Sequence, residues 1–311
     1  LLSSHVDQTR RAAAEAGVVL VVHDTSTCSF DPEGSRKGLG RIRSAGQAFF
    51  AHVSLVLASD GSRRPLGVSA LKTWTRGDEP SRGESARWFE SIELSAVRLG
   101  GKHHLLHVMD READDYELLS VLVEGSHRFV IRQKSDRLLP IEVPGEPPAK
   151  LSQAILKAEC VVQRSVKLSE RVDGLRSPKQ KAAHPSRETR KAKLSFAAMP
   201  IVFERPRGRE KTLPKSLALN LVRVWESEPP EGEAHIEWVL LTTERIDTPE
   251  DILNIVDAYR ARWTIEEFFK ALKTGCTYKE RQLGDYDGLI NALAFFIPIA
   301  CRLLFLRSEA H

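Results

Sequence analysis

Apolar runs and helical repeats alternate along the first 133 residues. Residues 4–16 carry helical spacing that stops at Gly17. Residues 18–24, VVLVVHD, form an unbroken apolar run ending on a carboxylate, the pattern of a strand buried on both faces. After a Gly-rich turn region, residues 49–59 and 65–74 read as strands joined through Asp60-Gly61 and its neighbours. A helix over 84–99 closes at Gly100-Gly101, and residues 104–110, HLLHVMD, repeat the apolar run that ends on a carboxylate. Residues 111–124 suit a helix and 128–133 a further strand.

Three strands, then helix, strand, helix, strand, is the order of a ribonuclease-H-like fold, an α/β class with a mixed sheet and helices. That architecture sets the first and fourth strands side by side, so Asp24 and Asp110, 86 positions apart, leave adjacent strand ends. Ligands of open α/β sheets gather at such ends. Either carboxylate alone reads equally as a turn former or helix cap. From 134 to 246, Pro, Ser and basic residues punctuate short β-like runs, predicting an antiparallel β subdomain inserted into the core. The chain divides on this reading into core residues 1–133, the insertion at 134–246, and a last core part at 247–311.

In that last part Thr248, Pro249, Glu250 and Asp251 suit the start of a helix, and Gly275 its end. At about 100° per residue, Tyr259, Arg262, Glu266 and Lys273 share an arc about 60° wide. Ala258, Ala261, Ile265, Phe268, Phe269 and Leu272 form an apolar face beside it. Two readings of the arc stand: a solvated face with ordinary i, i+4 pairing, or a carboxylate flanked by two cations and a phenol. Trp263 and Lys270 flank it. Residues 289–306 approach membrane-span length, but Asn291, Pro298 and Arg302 interrupt them, so a core helix kinked at Pro298 is expected.

Composition is that of a soluble globular protein, 41% hydrophobic and 28% charged. Cys28, Cys160, Cys276 and Cys301 show no paired spacing, which argues against a disulfide framework or zinc finger and suits a reducing cytoplasm. No secretory signal pattern opens the chain. Net charge is +4, yet residues 163–215 hold 15 Lys/Arg against 5 Asp/Glu. Such a block attracts phosphate backbones or forms a solvated loop. His103, His104 and His107 straddle alternating faces of a strand with no fourth ligand nearby, and are read as structural or solvent-facing.

The spacing Tyr259-x2-Arg262-x3-Glu266-x6-Lys273, with the wording ARWTIEEFFKALKTG around it, resembles the YREK signature of bacterial insertion-sequence transposases of the cut-and-paste type. MDREADDYELL from Met109 resembles that family's DREAD segment, and Asp24 in HDTSTCSF its first acidic site. The resemblance spans nearly the whole chain. It implies DDE chemistry with Asp24, Asp110 and Glu266 as catalytic acids and metal ligands. Tyr259, Arg262 and Lys273 would hold a DNA phosphate. Trp238, 21 positions before Tyr259, would stack on a flipped base, although a strand Trp is equally a core residue. Glu112 and Asp114 read as first-turn helix charges.

The implied reactions are nicking, hairpin formation and opening, and strand transfer at transposon ends. In-line displacement at phosphorus needs an activated oxygen nucleophile and a stabilised leaving oxygen, which two Mg²⁺ ions can supply, with Mn²⁺ as substitute. The implied partners are double-stranded DNA, as ends and as target, and a second copy in a synaptic homodimer, in a bacterial cytoplasm at the nucleoid and with no membrane. The alternatives are a catalytically silent DNA-binding or inhibitory derivative and, more narrowly, a general nuclease, which would not need the YREK face. The family carries an N-terminal end-binding domain and a C-terminal dimerisation region. Only 23 residues precede Asp24 here, with no initiator Met, which fits an excised or processed fragment.

Overall fold

The structure, a computed structural model, describes residues 2–30, 35–41, 46–75, 83–140, 148–172, 185–231, 233 and 235–310. Its frame is a ten-stranded mixed sheet. Strands β1 (Val19–Phe30), β5 (Leu105–Met109) and β6 (Arg128–Arg132) run parallel side by side. On the other side of β1, β3 (Gln47–Ala58) and then β4 (Pro65–Trp74) pair antiparallel, with the short β2 (Gly40–Arg41) along the start of β3. This β4-β3-β1-β5-β6 order is compatible with a ribonuclease-H-like arrangement, and it makes the first and fourth long strands neighbours.

The region from 134 to 246 does supply antiparallel strands: β7 (Val162–Leu168), β8 (Arg190–Glu204), β9 (Ser216–Glu226) and β10 (Glu237–Thr242). They continue the same sheet, because Leu240, Leu241 and Thr242 of β10 pair with Arg132, Ile131 and Val130 of β6. Leu217, Leu219, Leu221 and Leu241 then share one core with Phe129, Ile131 and Trp88. The basic block is in part internally neutralised. Arg164 pairs with Asp257, Arg190 with Glu226 and Glu233, Lys193 with Glu228, and Arg209 with Asp115. Its Arg176, Lys179 and Lys181 lie outside the described residues.

Period-2 alternation along β1 sorts the molecule into layers. Val19 and Val21 pack toward α1 (Ser3–Ala16) and α2 (Gly83–Leu99), with Ala13, Ala96 and Leu99. Met109, Phe129 and Ile131 meet α3 (Tyr116–Glu124) on that side, and α4 (Leu151–Ile155) closes the same core. Leu20, Val22 and Cys28 face the opposite way, into a core with Ile255, Ile265, Phe268, Leu272, Leu289 and Leu293. Those come from α5 (Pro249–Ala261), α6 (Trp263–Lys270), the turn Ala271–Gly275 that holds Leu272, and α7 (Tyr286–Glu309). Asp24 and Ser26 fall in the second register, so they point toward α5 and α6.

Thr248 caps α5 with a capping box: its hydroxyl accepts from Asp251 N at 3.1 Å and Thr248 N donates to the Asp251 carboxylate at 3.0 Å. Such a cap stabilises a helix by about 1 kcal/mol. The helix expected to run unbroken to Gly275 is interrupted. At Arg262 the bonds tighten to i→i−3 (Arg262 N to Tyr259 O, 3.0 Å; Ile265 N to Arg262 O, 3.1 Å). After Lys270 it widens into a π turn, Ala271–Gly275, closed by Cys276 N to Ala271 O at 2.8 Å. Constant 100° steps therefore do not describe this stretch. Meanwhile α7 continues as one helix through Pro298; one face is buried by Leu289, Leu293, Ile297 and Leu304, whereas Phe295, Ile299, Leu303 and Leu306 form an exposed stripe. It is long and apolar enough to cross a membrane by length and composition, but its buried face belongs to the core.

Candidate functional site

The parallel ladder of β1 with β5 ends at Val22 and Val108, and carrying its register forward sets Asp24 beside Asp110. Asp110 follows the last residue of β5, but Asp24 is not at a strand end as expected: β1 runs on to Phe30, still paired with β3. Asp110 N-caps the short 3₁₀ turn Arg111–Ala113, accepting from Glu112 N at 2.8 Å. Asp24 accepts from Thr25 N at 2.8 Å and from Arg262 Nη1 at 3.3 Å. Arg262 Nη2 meets Glu266 at 3.5 Å. Arg262 and Asp24 are largely buried, with side chains 15% and 14% exposed, while Glu266 is open to solvent at 43%. One guanidinium thus bridges an acid from β1 and an acid from α6.

Burial pushes the Asp24 carboxyl up to about 7; Arg262 opposes that, and the negative charges of Glu266 and Asp110 reinforce it. Asp24 thus lies within electrostatic reach of the other two acids. For Arg262, burial works against the charged form, but Tyr259, Asp24, Glu266 and Asp110 outweigh it and hold the guanidinium above its usual range. Lys273 is pulled down by burial, with Cys28 and, more weakly, Glu266 and Asp24 acting in the opposite sense.

Lys273 donates to Ser26 Oγ at 2.5 Å and lies 5.7 Å from the Phe269 ring centroid. Ser26 is a site residue that motif reading misses, although it stands two positions past Asp24 on the same strand face. Tyr259 is buried, and its ring meets Trp238 edge-on at 5.9 Å between centroids. Trp238 is half-buried against the core under α5, so part of its surface is structural. Trp263 is 63% exposed beside this cluster.

One further expectation is corrected. Asp114 is a buried loop pin, not a helix charge: it pairs with Arg137 at 2.5 Å and accepts from Lys134 N and Ser135 N at 2.6 and 2.8 Å. His107 is structural, as read, and it is not alone. On the far face of the sheet it joins His23 (Nδ1 to Nε2, 2.9 Å), which bonds Ser54 at 3.0 Å. His52 stacks on His23, bonding Thr25 at 2.9 Å, and His127 stands edge-on to His107 and bonds Glu93 at 2.5 Å. Three strand positions and His127, just before β6, make this buried file from separate parts of the chain, which is why spacing along one segment does not reveal it. His103 is exposed.

Hard oxygen donors such as the Asp24, Asp110 and Glu266 carboxylates suit Mg²⁺ or Mn²⁺. The chemistry fits, but no cage is preformed. Among the described residues no three Asp, Glu, His or Cys side chains are grouped tightly enough to hold an ion. Arg262 supplies the cation between Asp24 and Glu266 instead.

No family model matches the chain. Among solved structures it is similar to piggyBac transposase, seen by cryo-EM in a synaptic complex with hairpin DNA: TM-score 0.43 and 10% identity over 94% of this chain. The chain spans about half that protein's length, 47%.

Proposed function

We propose that this chain is the catalytic core of a DDE transposase of the cut-and-paste type, cleaving phosphodiesters at transposon ends, forming and opening hairpins, and joining strands into target DNA. The observation that carries the proposal is Arg262 bridging Asp24 of β1 and Glu266 of α6, with Asp110 just past the end of the neighbouring strand and Lys273 bonded to Ser26 beside them. The YREK-like spacing and the DREAD-like segment support the same assignment. Asp24, Asp110 and Glu266 would hold divalent ions, which when bound supply nucleophile activation and leaving-group stabilisation. Arg262 offers a planar fork to a phosphate and Lys273 a point charge, so together they orient the scissile strand. Trp238, against Tyr259, is the candidate platform for a base turned out of the duplex.

One observation favours a silent DNA-binding derivative: the acids are not grouped into a ready ion cage among the described residues. Cleavage of end-bearing duplex DNA with Mg²⁺ or Mn²⁺ separates the two. We expect metal-dependent nicking that Glu266→Gln and Asp110→Asn abolish while DNA binding persists. Binding without any metal-dependent cut would establish the silent reading.

A further inference from the structure

Arg262 reaches two of the three acids at once, Asp24 at 3.3 Å and Glu266 at 3.5 Å, with one guanidinium nitrogen directed to each. The tightened turn that presents it contains neither Pro nor Gly, and it falls at the one residue making these two ion pairs. The Asp24 carboxylate, largely withdrawn from water, needs a cation to balance it, supplied either by an ion or by a fixed side chain. Here the side chain is already in place.

We infer that Arg262 is the internal counter-cation of the acidic cleft, and that its guanidinium must leave Asp24 and Glu266 before both carboxylates can take a divalent ion. This rests on the transposase reading for the identity of the ion ligands. A freed guanidinium has phosphate as its natural alternative partner, so ion loading and the grip on DNA exchange through one side chain. Arg262 is thereby a positioning residue that lowers ion affinity in the DNA-free protein. A cleft that loads ions reluctantly without DNA is guarded against unprogrammed cutting.

The test is Mn²⁺ binding to the DNA-free chain, followed by electron paramagnetic resonance of free Mn²⁺ and by the Mn²⁺-induced rise in Tm. Arg262→Gln and Arg262→Ala should bind Mn²⁺ more tightly than the parent, on the order of tenfold, as befits loss of a competing charged contact. The second substitution and the melting curve guard against a variant that folds poorly. Lys273→Ala removes the same charge without touching the bridge, and should tighten binding far less. Equal tightening by Lys273→Ala reduces the effect to general electrostatics and overturns the inference. So does unchanged affinity in both Arg262 variants while Asp24→Asn and Glu266→Gln weaken binding, an outcome that leaves the transposase reading standing. If neither acid substitution alters Mn²⁺ binding, the ion-ligand assignment itself fails and the inference falls with it.

Discussion

Lys273, in a π turn near the end of the chain, donates a 2.5 Å hydrogen bond to Ser26, 247 positions earlier and two residues past Asp24. A flexible four-carbon cation is thereby held on the same strand face as the first acid. Lys273 also feels Glu266 and Asp24 across the cleft, so the bond fixes both the position and the reach of its charge.

Ser26→Ala should leave the fold intact, since only this side-chain bond is lost, and should cut strand cleavage about tenfold, the usual worth of a charge-assisted bond. Ser26→Thr keeps the hydroxyl and should retain most activity. The readout is cleavage rate on end-bearing DNA beside an unchanged circular dichroism spectrum; a Ser26→Ala enzyme with parental rate would show that Lys273 needs no anchor.

The buried histidine file predicts acid lability. Burial pushes His52 and His107 down to about 3, and lowers His23 and His127 as well. Between pH 6.5 and about 3 the unfolded chain binds protons that the folded chain refuses, so stability falls as pH falls through that window. For His52 and His107 this amounts to roughly 2 kcal/mol each at pH 5. Urea denaturation at pH 7, 6 and 5 should show the steady loss, and His52→Gln should flatten it. A pH-independent midpoint would contradict neutral imidazoles in the core.

Asp24 acts in the opposite sense. Its carboxyl is raised to about 7, so the folded state holds the proton more tightly than the unfolded chain. That stability is fully present below about pH 4 and is lost as pH rises through 7. Asp24→Asn, neutral and of the same shape, should melt higher than the parent at pH 8, on the order of 2 °C or more, with the difference closing near pH 4. It should also abolish cleavage, the pattern expected where an active site is kept at the expense of stability. Calorimetry at the two pH values decides it, and a lower Tm at pH 8 would show that the Arg262 ion pair outweighs burial.

Asp114 and Arg137 form a pair with side chains 0% and 7% exposed, pinning the segment after β6. Removing one partner leaves the other charge buried, so Asp114→Ala should cost about 3–5 kcal/mol. The double change Asp114→Leu with Arg137→Met should recover much of that loss. Denaturant midpoints of the single and double variants provide the check, and additive losses would argue against a coupled pair.

Much of the core was legible in advance. The two apolar runs before Asp24 and Asp110 lie in strands β1 and β5, because buried parallel strands admit few polar residues; β5 does end before Asp110, but β1 continues past Asp24 to Phe30, where antiparallel pairing with β3 holds it extended. The order of strands and helices predicts their pairing, since parallel neighbours need a helical crossover. Less was legible where local rules are permissive. The strands from 162 to 242 alternate as any half-buried strand does, and nothing in that pattern says that β10 pairs with β6 to extend one sheet.

The chain's own wording determined the alternation that turns Asp24 and Ser26 to one face and His23 to the other, the cap at Thr248, and the place of Asp110 just past the end of β5. Those features follow from period, propensity and local hydrogen bonding, which act over a few residues. Only the tertiary structure decided that the helix breaks at Arg262, that its guanidinium bridges Asp24 and Glu266, and that four histidines meet beneath the sheet. Such contacts join segments tens to hundreds of positions apart, and their energies depend on burial and neighbouring charge, which exist only once the layers have packed.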